Sequence, residues 1–217
     1  MSGEPYDVVV VGAGNAALCA ALAAREAGAR ALVLEKAPLH LRGGNTYFTG
    51  GGFRFPYQGL DDIRRLIPDL SEAEAASVDV GSYPESRFYD DVMRVTEGLA
   101  DPALLEVLVR RAYPTMRWLQ ERGLRWVLMY GRQAFKVDGV YRFWGGLILE
   151  AVGAGKGLSD QLFALAEEAG AEIWYEAKAA SLHVDGTGRV TGLRVRRPDG
   201  YREVTARAVV LACGGFE

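Results

Sequence analysis

Two glycines and a carboxylate stand at a spacing that could bind a dinucleotide. Gly12 and Gly14 follow a run of four valines and open the alanine-rich stretch Leu18 to Ala27, and Glu35 ends a second apolar run. Glycine at these positions permits a tight turn and lets the backbone approach a pyrophosphate at the positive end of a helix dipole. A carboxylate about 20 residues further on can accept hydrogen bonds from ribose hydroxyls. The pattern therefore predicts a dinucleotide site.

The charge of Glu35 narrows the choice of dinucleotide. A carboxylate beside the ribose would repel the 2′-phosphate of NADP, so FAD or NAD is favoured. Ala17 occupies the place of the third glycine of such turns and still permits close packing of the helix on the strand. The alternative is a strand, turn and helix that bind nothing, but the strand before the turn, the helix after it and the following acid favour binding.

The composition argues against several classes of function. The chain has 217 residues, 49% of them hydrophobic, and a net charge of -3, so it can bury a core and lacks the basic surface typical of nucleic-acid binding. Its two cysteines and two histidines predict neither a disulfide framework nor a metal site. The N-terminal apolar run is only four valines long. We therefore expect no signal peptide and no membrane span, and a cytoplasmic location.

Hydrophobic residues at helical spacing indicate that residues 54–143 form a largely helical insertion. Asp101-Pro102 is typical of a helix start, and Gly123 is expected to end that helix. Its apolar residues are predicted to form one stripe: Leu104, Leu105, Leu108, Val109, Ala112, Met116 and Leu119. Asp138-Gly139 predicts the turn of a β-hairpin.

Runs rich in β-branched residues predict a Rossmann-like α/β fold with an antiparallel β ribbon. The sheet is expected to contain Asp7 to Val11, Ala31 to Leu34, Glu172 to Glu176 and Ala208 to Ala212. The ribbon strands are predicted at Ala179 to Val184, Val190 to Arg197 and Val204 to Leu211. The helix before them is predicted from Gln161 to Ala169, with Ser159 or Asp160 as its cap. The last sheet strand should point its carboxyl end at the ligand, as in other open α/β sheets.

Two glycine-rich segments follow Glu35: Arg42-Gly43-Gly44-Asn45-Thr46 and Gly50-Gly51-Gly52. Glycine weakens a loop unless its conformational freedom is used, so we expect backbone amides here to face a bound group. A flexible surface loop is the alternative. Because the segments directly follow an adenosine-binding pattern, a second contact with a phosphate or a ring is favoured.

Taken together, these motifs resemble the N-terminal part of the fumarate reductase and succinate dehydrogenase flavoprotein family. The motifs that carry the resemblance are, in order, Val11 to Ala17, Leu34 to Ala37, Arg42 to Thr46 with Gly50 to Gly52, Phe143 to Leu147, Gly155 to Leu158, and Cys213 to Phe216. Within the family, the tricarballylate dehydrogenases and the related flavoprotein of cobalamin biosynthesis are the most similar. The resemblance covers essentially the whole sequence.

The resemblance implies FAD as the cofactor. It implies contacts with pyrophosphate, ribose, flavin and adenine at these residues: Gly12, Gly14, Asn15, Ala16, Glu35, Lys36, Gly43, Gly44, Asn45, Thr46, Gly51, Gly52, Ala179 and Gly214. Members with a covalent flavin carry a histidine where this sequence has Asn45, so FAD is expected to be non-covalent. No metal is implied.

The resemblance also implies an oxidoreductase that acts on a CH–CH bond of a di- or tricarboxylate such as tricarballylate. Its partners would be that small carboxylate and an electron-acceptor protein. The capping domain and the proton-transfer residue of the family have no counterpart in this sequence. We therefore expect a single FAD-binding domain over residues 1–217, truncated before the cap and inactive alone, and we assign no catalytic residue.

Two alternatives stay open at this stage. One is a truncated module that binds FAD, or nothing, without turnover. The other is a fragment of an NAD-dependent dehydrogenase, which would explain Glu35 but not the two later glycine segments. Four basic residues are candidate carboxylate or phosphate contacts, although ordinary surface charge is the favoured interpretation for each: Arg42, Arg132, Arg142 and Lys156.

Overall fold

The computed structural model describes residues 4–215, and these divide into two compact units. The first unit contains the described residues up to Thr49 and those from Gly155 onward, and the second is Gly50–Ala154. The strands are β1 (Tyr6–Val11), β2 (Ala31–Leu34), β3 (Gly52–Phe53), β4 (Val78–Asp79), β5 (Trp126–Leu128), β6 (Ala134–Val137), β7 (Val140–Phe143), β8 (Leu149–Ala151), β9 (Glu172–Trp174), β10 (Lys178–Val184), β11 (Val190–Arg197) and β12 (Gly200–Leu211). The α-helices are α1 (Asn15–Glu26), α2 (Gly44–Phe48), α3 (Leu60–Leu66), α4 (Glu72–Ala76), α5 (Glu85–Val95), α6 (Pro102–Glu121), α7 (Tyr130–Gln133) and α8 (Ala154–Glu168).

The first unit is built on a sheet that, within residues 4–215, has six strands in the order β10-β11-β12-β1-β2-β9. β1 pairs in parallel with both β12 and β2, and β2 pairs in parallel with β9. The four valines of β1 therefore lie inside the sheet, and the predicted Rossmann-like α/β fold with an antiparallel ribbon is confirmed. β9 ends at Trp174, two residues before the predicted end, because the chain turns through Glu176 with a φ of 52°.

One long strand, β12, belongs to both the ribbon and the parallel sheet. Its first half pairs antiparallel with β11, and its second half, from Ala206 to Leu211, pairs in parallel with β1. The two strands predicted there are therefore a single strand. It has no break because Val204 and Ala206, in its middle, are buried in the same core cluster as Val9 of β1.

The helices of the first unit follow from simple periodicity. Ala17, Leu18, Ala21 and Leu22 recur three and four residues apart and form the buried face of α1. The structure corrects the predicted start of α8, which begins at Ala154 rather than after Ser159 or Asp160. A Cβ at Gly155 would lie only 2.3 Å from the carbonyl oxygen of Thr49, so glycine permits close packing of the helix start.

The second unit contains α3 to α7 and two small sheets, β3-β8-β5 and β4-β7-β6. Asp101 caps α6 as predicted, since its carboxylate accepts hydrogen bonds from the N–H groups of Ala103 and Leu104. The predicted hairpin is also present, with Asp138 and Gly139 both at positive φ between β6 and β7.

The apolar stripe predicted on α6 is only partly buried. Leu105, Val109, Met116 and Leu119 are buried, whereas Leu104 is 70% exposed and Leu108 51% exposed. Ala112 is intermediate. The residues next to Leu105 and Val109 lie about 100° around the helix, so the predicted stripe spanned two adjacent faces and neighbouring elements cover only one.

No helix within residues 4–215 is both long and apolar enough to cross a membrane.

Candidate functional site

Three predicted binding positions follow parallel strands of the first unit. Gly12 comes directly after β1, Glu35 directly after β2, and Gly214 three residues after β12. Because these strands are parallel, their carboxyl ends meet at one edge of the sheet. Open α/β sheets bind their ligands at that edge, so the fold brings together residues that are far apart in sequence.

Gly12 is required by the packing of the sheet edge itself. Its φ is 103°, and a Cβ there would lie 2.4 Å from the carbonyl oxygen of Ala212, which follows β12. Any other residue would therefore force β1 and β12 apart at their carboxyl ends. The prediction that Gly12 permits a tight turn is consistent with this conformation.

Gly14 and Thr46 form a junction between the glycine turn after β1 and the glycine segment Arg42 to Thr46. Gly14 is the N-cap residue of α1, and the N–H of Asn15 donates to Thr46 Oγ1 over 2.9 Å. A Cβ on Gly14 would lie 3.2 Å from the same oxygen. An oxygen that accepts this bond still carries its own hydrogen, which can donate to an anion. Thr46 was predicted as a cofactor contact, but its link to Asn15 was not, since nothing local connects residues 31 positions apart.

The start of α1 offers donors for a negatively charged ligand. The first N–H groups of a helix have no intrahelical acceptor, and they point out of its N-terminus. Thr46 takes up the N–H of Asn15, and the next N–H, that of Ala16, points in the same general direction. The helix is 12 residues long, so the positive end of its dipole adds to this attraction.

In the glycine segment Arg42 to Thr46, the two glycines at the start of α2 both have positive φ. Gly43 has a φ of 103°, and a Cβ there would lie 2.4 Å from Ser159 Oγ, so glycine is needed for packing against α8. Gly44 has a φ of 54°, and no atom lies within 4 Å of the position that a Cβ would occupy. Asn45 is exposed at the start of this short helix. Open space therefore surrounds the Cβ position of Gly44, and Asn45 is exposed beside it.

Among residues 4–215, Glu35 is the one charged residue that is buried, with 6% of its surface exposed. Its Oε1 accepts a 2.8 Å hydrogen bond from the N–H of Ala37. The backbone on both sides is also fixed, because the Glu35 N–H donates to Trp174 O and its carbonyl accepts from the N–H of Ala177. The Ala37 N–H thus helps to orient the carboxylate.

The remaining predicted contacts of the first unit lie near these groups in the fold. Lys36 is exposed directly after Glu35, and Ala179 is half-buried on β10, where it pairs with Val195. Gly214 has a φ of 83° and open space around its Cβ position. Phe216, which belongs to the last motif, lies outside the described residues.

Gly51 and Gly52 belong to the second unit, and packing within that unit explains both glycines. At Gly51, with a φ of 68°, a Cβ would lie 2.6 Å from the backbone of Ala154. At Gly52 it would lie 2.4 Å from the Met129 side chain. The glycines at these positions are therefore not in themselves a sign of a ligand, and their assignment to FAD stays a prediction.

Two of the candidate basic residues have structural roles in the first unit. The Arg42 guanidinium lies 4.1 Å from the centre of the Phe163 ring and donates to Tyr175 Oη over 2.9 Å. Lys156 pairs with Asp160 one turn later on α8, and this hydrogen bond raises the pKa of Lys156. Both are engaged within the unit rather than presented to a ligand. In the second unit, Arg142 is exposed on β7.

Neither nucleophilic nor metal chemistry is favoured by the described residues. Burial raises the pKa of the Cys19 thiol to about 11, so the thiol is protonated at neutral pH. Cys213 is exposed. Among residues 4–215, no group of three or more His, Cys, Asp or Glu side chains is placed to hold a metal ion. What the site offers is a set of fixed backbone donors and one oriented carboxylate.

Known proteins resemble this chain over most of its length. A protein family described as "FAD binding domain" matches residues 7–217. Fumarate reductase (cytochrome) from Shewanella frigidimarina is 29% identical over 216 residues, which cover 98% of this chain and 34% of that protein. Urocanate reductase from Eggerthella lenta is 34% identical over 224 residues, which cover 97% of this chain and 32% of that protein.

A solved structure shares the fold. The open conformation of a flavocytochrome c3 fumarate reductase superposes with a TM-score of 0.72 and 26% identity, over 99% of this chain and 34% of that one. The chain thus spans about a third of the length of these relatives.

Proposed function

We propose that this chain binds FAD non-covalently, as the cofactor-binding part of a flavin-dependent oxidoreductase. The chain belongs to the family of FAD-binding domains, and the match extends from residue 7 to residue 217. The observation that carries this proposal is the junction at the start of α1. There Gly14 lets Thr46 come close to the helix start, and Thr46 is held against Asn15 by a 2.9 Å hydrogen bond. The arrangement fits the pyrophosphate of a dinucleotide.

Each part of the first unit has a role in this proposal. The N–H of Ala16 and the hydroxyl of Thr46 would donate to pyrophosphate oxygens at the start of α1. Glu35, oriented by the N–H of Ala37, would accept from the adenosine ribose. Gly44, with open space at its Cβ position, and the exposed Asn45 would approach the diphosphate or the flavin. Asn45 has no nucleophilic atom for a covalent flavin link, which supports non-covalent binding.

The substrate proposed for the whole protein is a di- or tricarboxylate such as tricarballylate. FAD, when bound, would exchange a hydride with a carbon beside a carboxylate. Relatives named for fumarate and for urocanate support a carboxylate substrate, while tricarballylate itself rests on the sequence motifs. An electron-acceptor protein and a cytoplasmic location are further proposals. This chain's described residues bind and orient the cofactor, and we assign none of them a proton transfer.

Titration of the purified chain with FAD tests the cofactor assignment. We expect one FAD per chain, followed by the change in flavin fluorescence, and full release of the flavin on acid precipitation. Glu35→Gln keeps the shape of the side chain but removes the charge, so we expect binding to weaken by roughly 10-fold or more. Glu168→Gln, on the exposed end of α8, is the matched control and should bind like the unmodified chain.

The same titration with NADH separates the dinucleotides. Tight NADH binding without FAD binding would overturn the proposal in favour of a nicotinamide enzyme. Unchanged FAD affinity in Glu35→Gln would contradict the ribose assignment alone. A yellow protein pellet after acid precipitation would contradict the non-covalent assignment.

A further inference from the structure

Basic side chains of the first unit line a cavity that includes Lys36, the residue directly after Glu35. The cavity has a volume of about 660 Å³, and its charged lining residues are Lys36, Lys178, Arg196, Arg197 and Glu176. Only Lys36 is among the predicted FAD contacts. The cations come from three segments that are distant in sequence: the residues after β2, the start of β10 and the end of β11.

None of the four cations is neutralised within the described chain. In residues 4–215, no salt bridge involves any of them, whereas Arg202 on the adjacent strand pairs with Asp199 and Arg194 with Glu203. Arg197 instead lies with its guanidinium 5.3 Å from the centre of the Trp174 ring. This stacking holds the charge at the cavity without cancelling it.

Two of the cations repel each other across neighbouring strands. Lys178 and Arg196 are direct cross-strand partners in the antiparallel pair of β10 and β11. Like charges directly opposite each other on neighbouring strands destabilise a sheet. An anion bound between them would convert this repulsion into attraction, since each cation would then face an opposite charge.

The wall of the cavity is fixed by backbone hydrogen bonds. The Glu176 N–H donates to Ala37 O over 3.0 Å, and the Ala177 N–H donates to Glu35 O over 2.8 Å. Glu176 is held at a φ of 52°, which is uncommon for a residue with a side chain. Pro38 and Pro198 restrict the rim further. A cavity shaped in this way does not need to be ordered by its ligand, which favours binding.

We propose that this cavity binds a small polyanion, one that carries two or more negative charges on phosphate or carboxylate oxygens. The four cations outnumber the single carboxylate of Glu176, so a monoanion would leave much of the positive charge unmet. Arginine pairs well with both phosphate and carboxylate through two parallel hydrogen bonds. The proposal does not rest on the binding of FAD, because its cations lie mainly outside the predicted cofactor contacts.

Isothermal titration calorimetry of the full chain, with and without saturating FAD, tests the proposal. The probes are pyrophosphate and citrate, and the one that binds identifies phosphate or carboxylate as the preferred group. We expect one site per chain and weaker binding as NaCl is raised, since exposed charges are screened. Lys178→Ala and Arg196→Ala should each weaken binding by about 10-fold.

Arg189→Ala supplies the control, because Arg189 is exposed on the same ribbon beyond the cavity. It should bind the probe like the unmodified chain, and none of the three variants should have a lower thermal midpoint than the unmodified chain. Binding of neither probe would overturn the proposal, as would equal loss in Arg189→Ala. Competitive displacement of the anion by FAD would also overturn it, since the cavity would then belong to the cofactor. Failure of FAD to bind, with the anion still bound, would instead count against the proposed function alone.

Discussion

Removal of the Thr46 hydroxyl is the sharpest test of the junction at the start of α1. Thr46→Ala deletes the acceptor of the 2.9 Å hydrogen bond from the Asn15 N–H. A neutral hydrogen bond of this kind contributes about 1 kcal/mol to stability, and Thr46 is only half-buried, so water can replace part of it. We therefore expect a loss of at most about 1 kcal/mol in the free energy of unfolding.

The effect on FAD should be larger than the effect on folding. A hydroxyl that donates to a pyrophosphate oxygen makes a charge-assisted hydrogen bond, worth roughly 1.5–3 kcal/mol, which corresponds to roughly 10- to 150-fold in Kd. Thr46→Ser keeps the oxygen and should retain most of the affinity. Thr205→Ala, at an exposed position of β12, removes a hydroxyl elsewhere in the same unit and should change nothing.

Fluorescence titration at one fixed salt concentration measures these affinities, and urea unfolding measures stability separately. An unchanged Kd in Thr46→Ala would refute the role of the hydroxyl in binding. A Thr46→Ser variant as weak as Thr46→Ala would show that the methyl group, and not the oxygen, matters.

Three further predictions concern packing, thiol reactivity and turnover. Gly12→Ala places a Cβ 2.4 Å from Ala212 O at a φ of 103°, so its thermal midpoint should fall by several degrees, whereas Gly186→Ala has open space and should not; equal midpoints would contradict the packing argument. Iodoacetamide at pH 8 should label the exposed Cys213 but not Cys19, because burial raises the pKa of the Cys19 thiol to about 11. Mass spectrometry of the native chain after labelling measures this, and a labelled Cys19 would contradict the prediction. The FAD-loaded chain should not oxidise tricarballylate, because a hydride donor must be held close to the flavin and shielded from water; substrate-dependent loss of flavin absorbance under anaerobic conditions would prove this wrong.

Some features of the site could not be predicted because one residue type serves different purposes. Glycine at positions 12, 14, 43, 51 and 52 suggested a ligand, but at four of these a Cβ would collide with another part of the protein at 2.6 Å or less. Gly14 is the exception, with 3.2 Å to Thr46 Oγ1. A sequence shows that glycine is present, and only the packed structure shows what its missing side chain would have met.

The predicted apolar stripe of α6 is only partly buried for a related reason. Helical periodicity places Leu104 and Leu105 on adjacent faces, and both are equally hydrophobic in the sequence. Which face is covered depends on the helices packed against α6, chiefly α5 and α3. That information lies in residues far from the stripe itself.

The sequence alone determined the strand–turn–helix–strand segment from β1 to Glu35 and the α/β class of the fold. Apolar runs, a glycine turn and an amphipathic helix act within a few turns of the chain, so local physical chemistry is sufficient to specify them. Only the tertiary structure decided which distant residues meet: Thr46 beside Asn15, and the cations at positions 36, 178, 196 and 197 around one cavity. Such contacts arise from the pairing and twist of the strands, which no single segment encodes, and for that reason they became visible only in the fold.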